Sequence, residues 1–165
     1  MLGRFVERAD KTSRILDVKY FLLLPSVYDV GTPIDFISWS ALLKSASGYE
    51  MYRKKFRRIT PTNVAKFLIL DPEFPRSILY CVNVALESIK SITGTSYTSY
   101  SNESEMFLGR LSSELNYANI EEIIEEGLHE YLDNFQMNLN KIGDTIYKSY
   151  FTVQPITEIN ITRGE

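Results

Sequence analysis

Residues 1–24 read MLGRFVERADKTSRILDVKYFLLL, and this stretch decides the fold. Leu2, Phe5, Val6, Ala9, Leu16, Tyr20, Leu23 and Leu24 recur at the spacing of one helical face, with the small Ser13 between them. At about 100° per residue, Glu7, Asp10, Arg14 and Asp17 form a stripe beside that face. Ile15, Val18, Phe21 and Leu22 occupy the remaining sides of the second half, which predicts a rod enclosed nearly all round. Charge on an enclosed rod must be paired, because an unpaired buried charge is costly or is neutralised. The spacing supplies partners: Asp10 and Asp17 flank Arg14 at i−4 and i+3, and Glu7 reaches Lys11 at i+4. The expectation is a central helix carrying an internal ladder of ion pairs.

Working outward, helix signals repeat to the end of the chain. Pro25 closes the first helix and residues 26–32 read as a loop. Thr32-Pro33 with Asp35 predicts a capped helix over 34–46, with Phe36, Ile37, Trp39, Leu42 and Leu43 as its apolar residues and Trp39 as a core anchor. Ser47-Gly48 marks a break before a short helix over 49–56. Thr60-Pro61 repeats the cap and opens another helix. Asp71-Pro72-Glu73-Phe74-Pro75 is a rigid turn, since each proline disfavours helix in the residue before it. A helix over 76–93 follows, with Ile78, Val82, Ala85, Ile89 and Ile92 inward and Gly94 as its stop. An arginine at a helix N-terminus opposes the macrodipole, so Arg76 is expected to be held by Asp71, Glu73 or an acid of the first helix.

Residues 94–102 (GTSYTSYSN) are polar and unpatterned, the mark of an exposed mobile loop. A helix over 103–116 starts at a Ser101 or Asn102 cap, and its Gly109 calls for close packing with a neighbour. The longest periodic stretch, 120–151, reads as one final helix with acids in its first turns. The architecture expected is all-α: an antiparallel bundle of six or seven helices without a sheet, its first and last helices central. Residues 1–151 form one bundle domain, or half of a larger one, and 152–165 an extended or frayed tail.

Composition narrows the function classes. The 165 residues suffice to bury about 70% of the unfolded surface. A net charge of −3 gives no general attraction to nucleic acid or to an anionic membrane. No apolar run approaches the roughly 20 residues of a membrane span. The single Cys81 excludes an internal disulfide and fits a reducing, cytoplasmic setting. Phosphate loops, zinc-protease helices, paired Cys-x-x-Cys and nucleophile elbows are absent from the sequence, and neither a metal nor a cofactor is expected.

Gly3-Arg4-Phe5-Val6-Glu7-Arg8-Ala9-Asp10, continuing through Thr12-Ser13-Arg14 to Leu16-Asp17, resembles the alpha-E family of bacterial all-helical proteins of undefined activity. Phe67-Leu68 to Leu70-Asp71, Phe74 to Ile78, Leu108 to Leu111 and Gly127 to Leu132 extend the resemblance along the chain. Members are about twice as long, and the likeness is to their C-terminal half. The resemblance implies a protein encoded beside ATP-grasp-like and transglutaminase-like enzymes. It therefore implies a helical subunit or adaptor of a system that makes or modifies peptides. The alternative is an enzyme of that system acting on a peptide or amide. A third expectation is pairing with itself or with a separate N-terminal half.

The candidate polar cluster is Glu7, Arg8, Asp10, Arg14, Asp17, Arg76 and His129. Its carboxylates suit acid–base work, or else an ion-pair ladder that fixes helix register. His129, with Glu125 and Asp133 at i−4 and i+4, is expected to have a raised pKa. Arg53, Lys54, Lys55, Arg57 and Arg58 form a candidate anion-binding patch, or a solvated helix end favoured by the macrodipole. Cys81 falls on an apolar helical face and reads as a small core residue.

Overall fold

A computed structural model describes residues 1–22, 33–96 and 98–152. Among them run eight helices and no strand: α1 (Leu2–Leu22), α2 (Pro33–Ser45), α3 (Tyr49–Lys55), α4 (Pro61–Leu70), α5 (Ile78–Thr93), α6 (Glu103–Tyr117), α7 (Ile120–Glu126) and α8 (Leu128–Tyr150). The expected Pro25 stop, the loop over 26–32 and the tail beyond Thr152 lie outside the described residues. No helix among the described residues is long and apolar enough to cross a membrane.

Local chemistry sets most of the boundaries. The Thr60 hydroxyl accepts from the Asn63 amide, with Pro61 in the first turn of α4. The Asn102 side chain caps α6 through the Glu105 amide, and Asn119 caps α7 through the Glu121 amide. Gly94 closes α5 in the left-handed conformation, φ 72°, its amide donating to the Lys90 carbonyl.

The core joins α1 to α5 most extensively, with α8 and α6 completing a four-helix layer. Ala9 and Leu16 of α1, Val82, Ala85 and Ile89 of α5, Leu108 and Leu115 of α6, and Leu132 and Phe135 of α8 are buried. The α2–α4 segment packs beside this layer around an aromatic cluster. Phe67 and Phe74 stack at 4.5 Å, and Tyr52 meets the edge of Phe67 at 5.4 Å. A Cβ on Gly48 would lie 2.9 Å from both Phe67 and Phe74, so this glycine permits close approach of the backbone to the cluster.

Several expectations need correction. The final helix is two, because Gly127 interrupts it at φ 112°, ψ 111°. This raises the count to eight. The helix after the proline-rich turn starts at Ile78 with Ser77 as its cap, so Arg76 stands in the turn, one residue before the cap and not inside the helix. Alongside α1 the second central rod is α5, not α8. The first helix is less enclosed than its pattern implied, since Val18 is 52% exposed. Phe36, Ile37 and Ile92 also face solvent, and Trp39 packs half-buried at the margin of the core. Nothing lies within 4 Å of a Cβ built on Gly109, so close packing does not account for that glycine.

The described residues of the loop after α5 are mostly exposed, as expected, and Ser96, Ser99 and Ser101 are tied to buried side chains. The buried Lys90 ammonium donates to the carbonyls of Ser96 and Ser99 at 2.7 and 2.8 Å. The buried Glu105 carboxylate accepts from the amide and the hydroxyl of Ser101. Burial opposes the charge of Glu105, but hydrogen bonds from Thr93, Ser101 and Thr95 outweigh it and hold its pKa below the ordinary value.

Candidate functional site

The polar residues of α1 divide into three groups. Glu7 pairs with Lys11 at 2.6 Å, and Asp10 pairs with the Arg14 Nε at 2.8 Å. Both pairs have the i, i+4 spacing read from the sequence. The side chains of Glu7, Lys11 and Arg14 are more than half exposed, however, so the ladder lies on the surface and not inside. Surface pairs of this kind contribute little to stability. Asp17 acts on Arg14 only through its charge, and its Oδ1 lies 2.7 Å from the His129 Nδ1 of α8.

Arg8 is held differently. Its guanidinium lies over the Phe5 ring, 5.0 Å from the centroid, and its Nη1 donates to the Pro75 carbonyl at 3.2 Å. One turn on, the buried Thr12 hydroxyl donates to the Arg76 carbonyl at 2.8 Å. These two bonds fasten α1 to the turn that precedes α5. Beside the fastening lies a cleft of about 450 Å³. Arg4, Glu7, Arg8, Lys11, Thr12 and Ile15 of α1 form one wall, and Ser45, Ala46 and Arg76 form the other.

Four cations and one carboxylate therefore line the cleft. The hydrogen bond and charge of Lys11 lower the pKa of Glu7, which favours its ionised form. Among the described residues Arg4 and Arg76 make no side-chain ion pair. Of the partners expected for Arg76, Asp71 and Glu73 pair with Lys55, and Glu7 and Asp10 of the first helix pair with Lys11 and Arg14. Asp71 accepts from the Glu73 and Phe74 amides and from Lys55. Both hydroxyls in the cleft donate to backbone carbonyls, Thr12 to Arg76 and Ser45 to Ala41.

Of the seven cluster residues expected, the structure brings Glu7, Arg8 and Arg76 together in the cleft. Asp10 and Arg14 stand on the neighbouring flank. Asp17 and His129 form a separate clasp between α1 and α8. His129 bonds to Asp17 of α1, a partner the local sequence did not suggest. That hydrogen bond is the main cause raising its pKa, and the charges of Glu130 and Asp133 on α8 act in the same direction. Sequence reasoning missed Arg4 as a cleft residue and saw Lys11 only as the mate of Glu7. The signal was present, because Arg4, Glu7, Arg8, Lys11, Thr12 and Ile15 are spaced as one helical face.

The basic patch at the end of α3 is only partly free for an anion. Lys55 bridges Asp71 at 2.8 Å and Glu73 at 2.6 Å, and Arg53 lies beside the Tyr49 ring. Arg57 and Arg58 fall beyond the helix end. With Arg53, Phe36, Phe56 and Ile59 they border a second cleft of about 400 Å³. Cys81 is buried at the head of α5, and desolvation pushes its thiol up to about 12, far from a reactive thiolate. Among the described residues no three His, Cys, Asp or Glu side chains cluster as a metal site would.

The sequence contains a single Glu-Arg dipeptide, Glu7-Arg8. Residues 1–151 match the model of Alpha-E, described as a predicted alpha-helical domain with a conserved ER motif. The chain belongs to the Alpha-E family. No curated protein and no solved structure matches it. The dipeptide corresponding to the Alpha-E motif thus lies on the wall of this basic cleft, with its arginine anchored and its glutamate paired.

Proposed function

We propose that this Alpha-E chain is a binding subunit, an adaptor of a bacterial peptide-forming or peptide-modifying system, and that the Glu7–Arg8 cleft is where it grips its ligand. The observation that carries this reading is the state of the cleft's reactive groups. Its hydroxyls are committed to backbone carbonyls, its one carboxylate is held by Lys11, and its arginines offer hydrogen-bond donors only. Such a lining can bind and orient, and it offers no activated nucleophile. The partner expected is an ATP-grasp-like or transglutaminase-like enzyme.

An enzyme reading has one observation in its favour, the carboxylate–imidazole pair of Asp17 and His129. Neither residue lines the cleft. The two readings separate by experiment. Co-expression with such an enzyme encoded beside it, followed by light scattering on the purified mixture, should give a stable complex that Arg8→Ala weakens. Peptide turnover by the purified chain alone, abolished by Glu7→Gln or His129→Gln, would overturn the adaptor reading. A mass that rises with concentration in the chain alone would instead indicate self-pairing.

A further inference from the structure

We infer that the Glu7–Arg8 cleft recognises the free carboxyl end of a peptide. This names the ligand of the site just proposed and rests on the same cleft. The argument starts from the charges. Lys11 and Glu7 satisfy each other, which leaves Arg4, Arg8 and Arg76 as cations lining the cavity with no carboxylate partner among the described residues. Arginine presents planar N–H pairs that fit a carboxylate in two-point fashion. Arg8 spends one of its N–H groups on Pro75 and is braced by the Phe5 ring, so it is pre-organised and needs little ordering when a ligand arrives.

Glu7 decides between kinds of anion. Its carboxylate supplies an acceptor, because Lys11 occupies only its Oε1, so an anion that also carries an N–H donor gains a contact that phosphate or acetate cannot make. A ligand that matches both halves carries an oxyanion with an N–H donor close by. The carboxyl end of a peptide has both, the terminal carboxylate and the amide N–H of the same residue. The cavity, about 450 Å³, falls within the roughly 300–1,000 Å³ of small-molecule sites, enough for a short peptide end. Ile15 gives it one apolar contact for a side chain.

Arginine side-chain resonances in the full chain provide the test, since they report binding down to millimolar affinity. N-acetyl-alanyl-alanine as the free acid should shift the Nε–H signals of Arg8 and Arg76, and its C-terminal amide should bind about tenfold more weakly or worse. Arg76→Gln changes an exposed turn residue and should weaken the free acid about tenfold with the fold intact, and Arg8→Ala should do the same. Glu7→Gln should weaken the dipeptide yet tighten acetate, which has no N–H to offer. Equal binding of acid and amide would overturn the inference. So would tighter binding of inorganic phosphate than of the dipeptide, or no response to any of these probes. Dipeptide binding without any enzyme complex would leave this inference standing and overturn the adaptor reading alone.

Discussion

The Nδ1 of His129 lies 2.7 Å from the Oδ1 of Asp17, joining α8 to α1 across 112 residues of sequence. His129 is the chain's one histidine, so its titration can be followed without overlap. The Asp17 hydrogen bond raises its folded-state pKa above the ordinary histidine value of 6.5. A group with a raised folded pKa contributes its full stabilisation below the unfolded value and loses it as pH climbs through the folded one. The melting temperature should therefore fall as pH rises from about 6.5 through the raised value. Asp17→Asn should flatten that fall and move the His129 midpoint, read by NMR, back down. An unchanged midpoint in Asp17→Asn would show that the contact is not what raises it.

Two glycines should respond in opposite directions to alanine. Gly127 sits at φ 112°, which L side chains rarely adopt, and a Cβ there would also press on the Glu130 carboxylate. Gly127→Ala should cost about 1–3 kcal/mol in urea unfolding. Gly109 lies within α6 with open space where its Cβ would project. Gly109→Ala should raise stability by about 0.5–1 kcal/mol.

Those glycines show what the sequence carried and what it did not. Caps at Thr60, Asn102 and Gly94 were legible because each depends on two or three neighbouring residues. The break at Gly127 was hidden, since Ile120, Ile123, Leu128 and Tyr131 keep helical spacing straight through it. It arises from packing: α7 lies against α4, whereas α8 packs on α1 and α6, and one straight rod does not serve both. In the site, Glu7 and Arg8 were legible as charges on a face. The second wall, Ser45, Ala46 and Arg76, comes from distant segments and was visible only as Arg76's need for a partner. The link between His129 and Asp17 likewise required the fold, because local spacing offered Glu125 and Asp133 first.

The turn that carries Arg76 depends on Asp71. This buried carboxylate accepts from the amides of Glu73 and Phe74 at 2.9 and 2.8 Å and from Lys55. The Ser77 hydroxyl donates to its backbone carbonyl. Asp71→Ala leaves buried donors unmet and should destabilise by about 2–4 kcal/mol in chemical denaturation. Because Arg8 and Thr12 both bond to this turn, the same change should also blunt ligand-induced shifts at the cleft. A variant that loses stability and keeps full cleft binding would show that the turn does not position Arg76.

Lys90 makes a sharper test of how the 94–102 loop is held. Its ammonium is buried and donates to the carbonyls of Ser96 and Ser99, two acceptors that no methyl group can satisfy. Lys90→Met keeps the apolar length of the side chain and removes the donors. Hydrogen exchange over residues 95–101 should then speed up by an order of magnitude or more, because each lost charged hydrogen bond is worth about 1.5–3 kcal/mol. Exchange in the middle of α1 and α8 should stay as slow as before, since those helices are held by the apolar core. Glu105→Gln should act in the same direction by weakening the bonds to Ser101. If exchange accelerated equally in loop and core, the lysine would be supporting the whole bundle and not the loop alone.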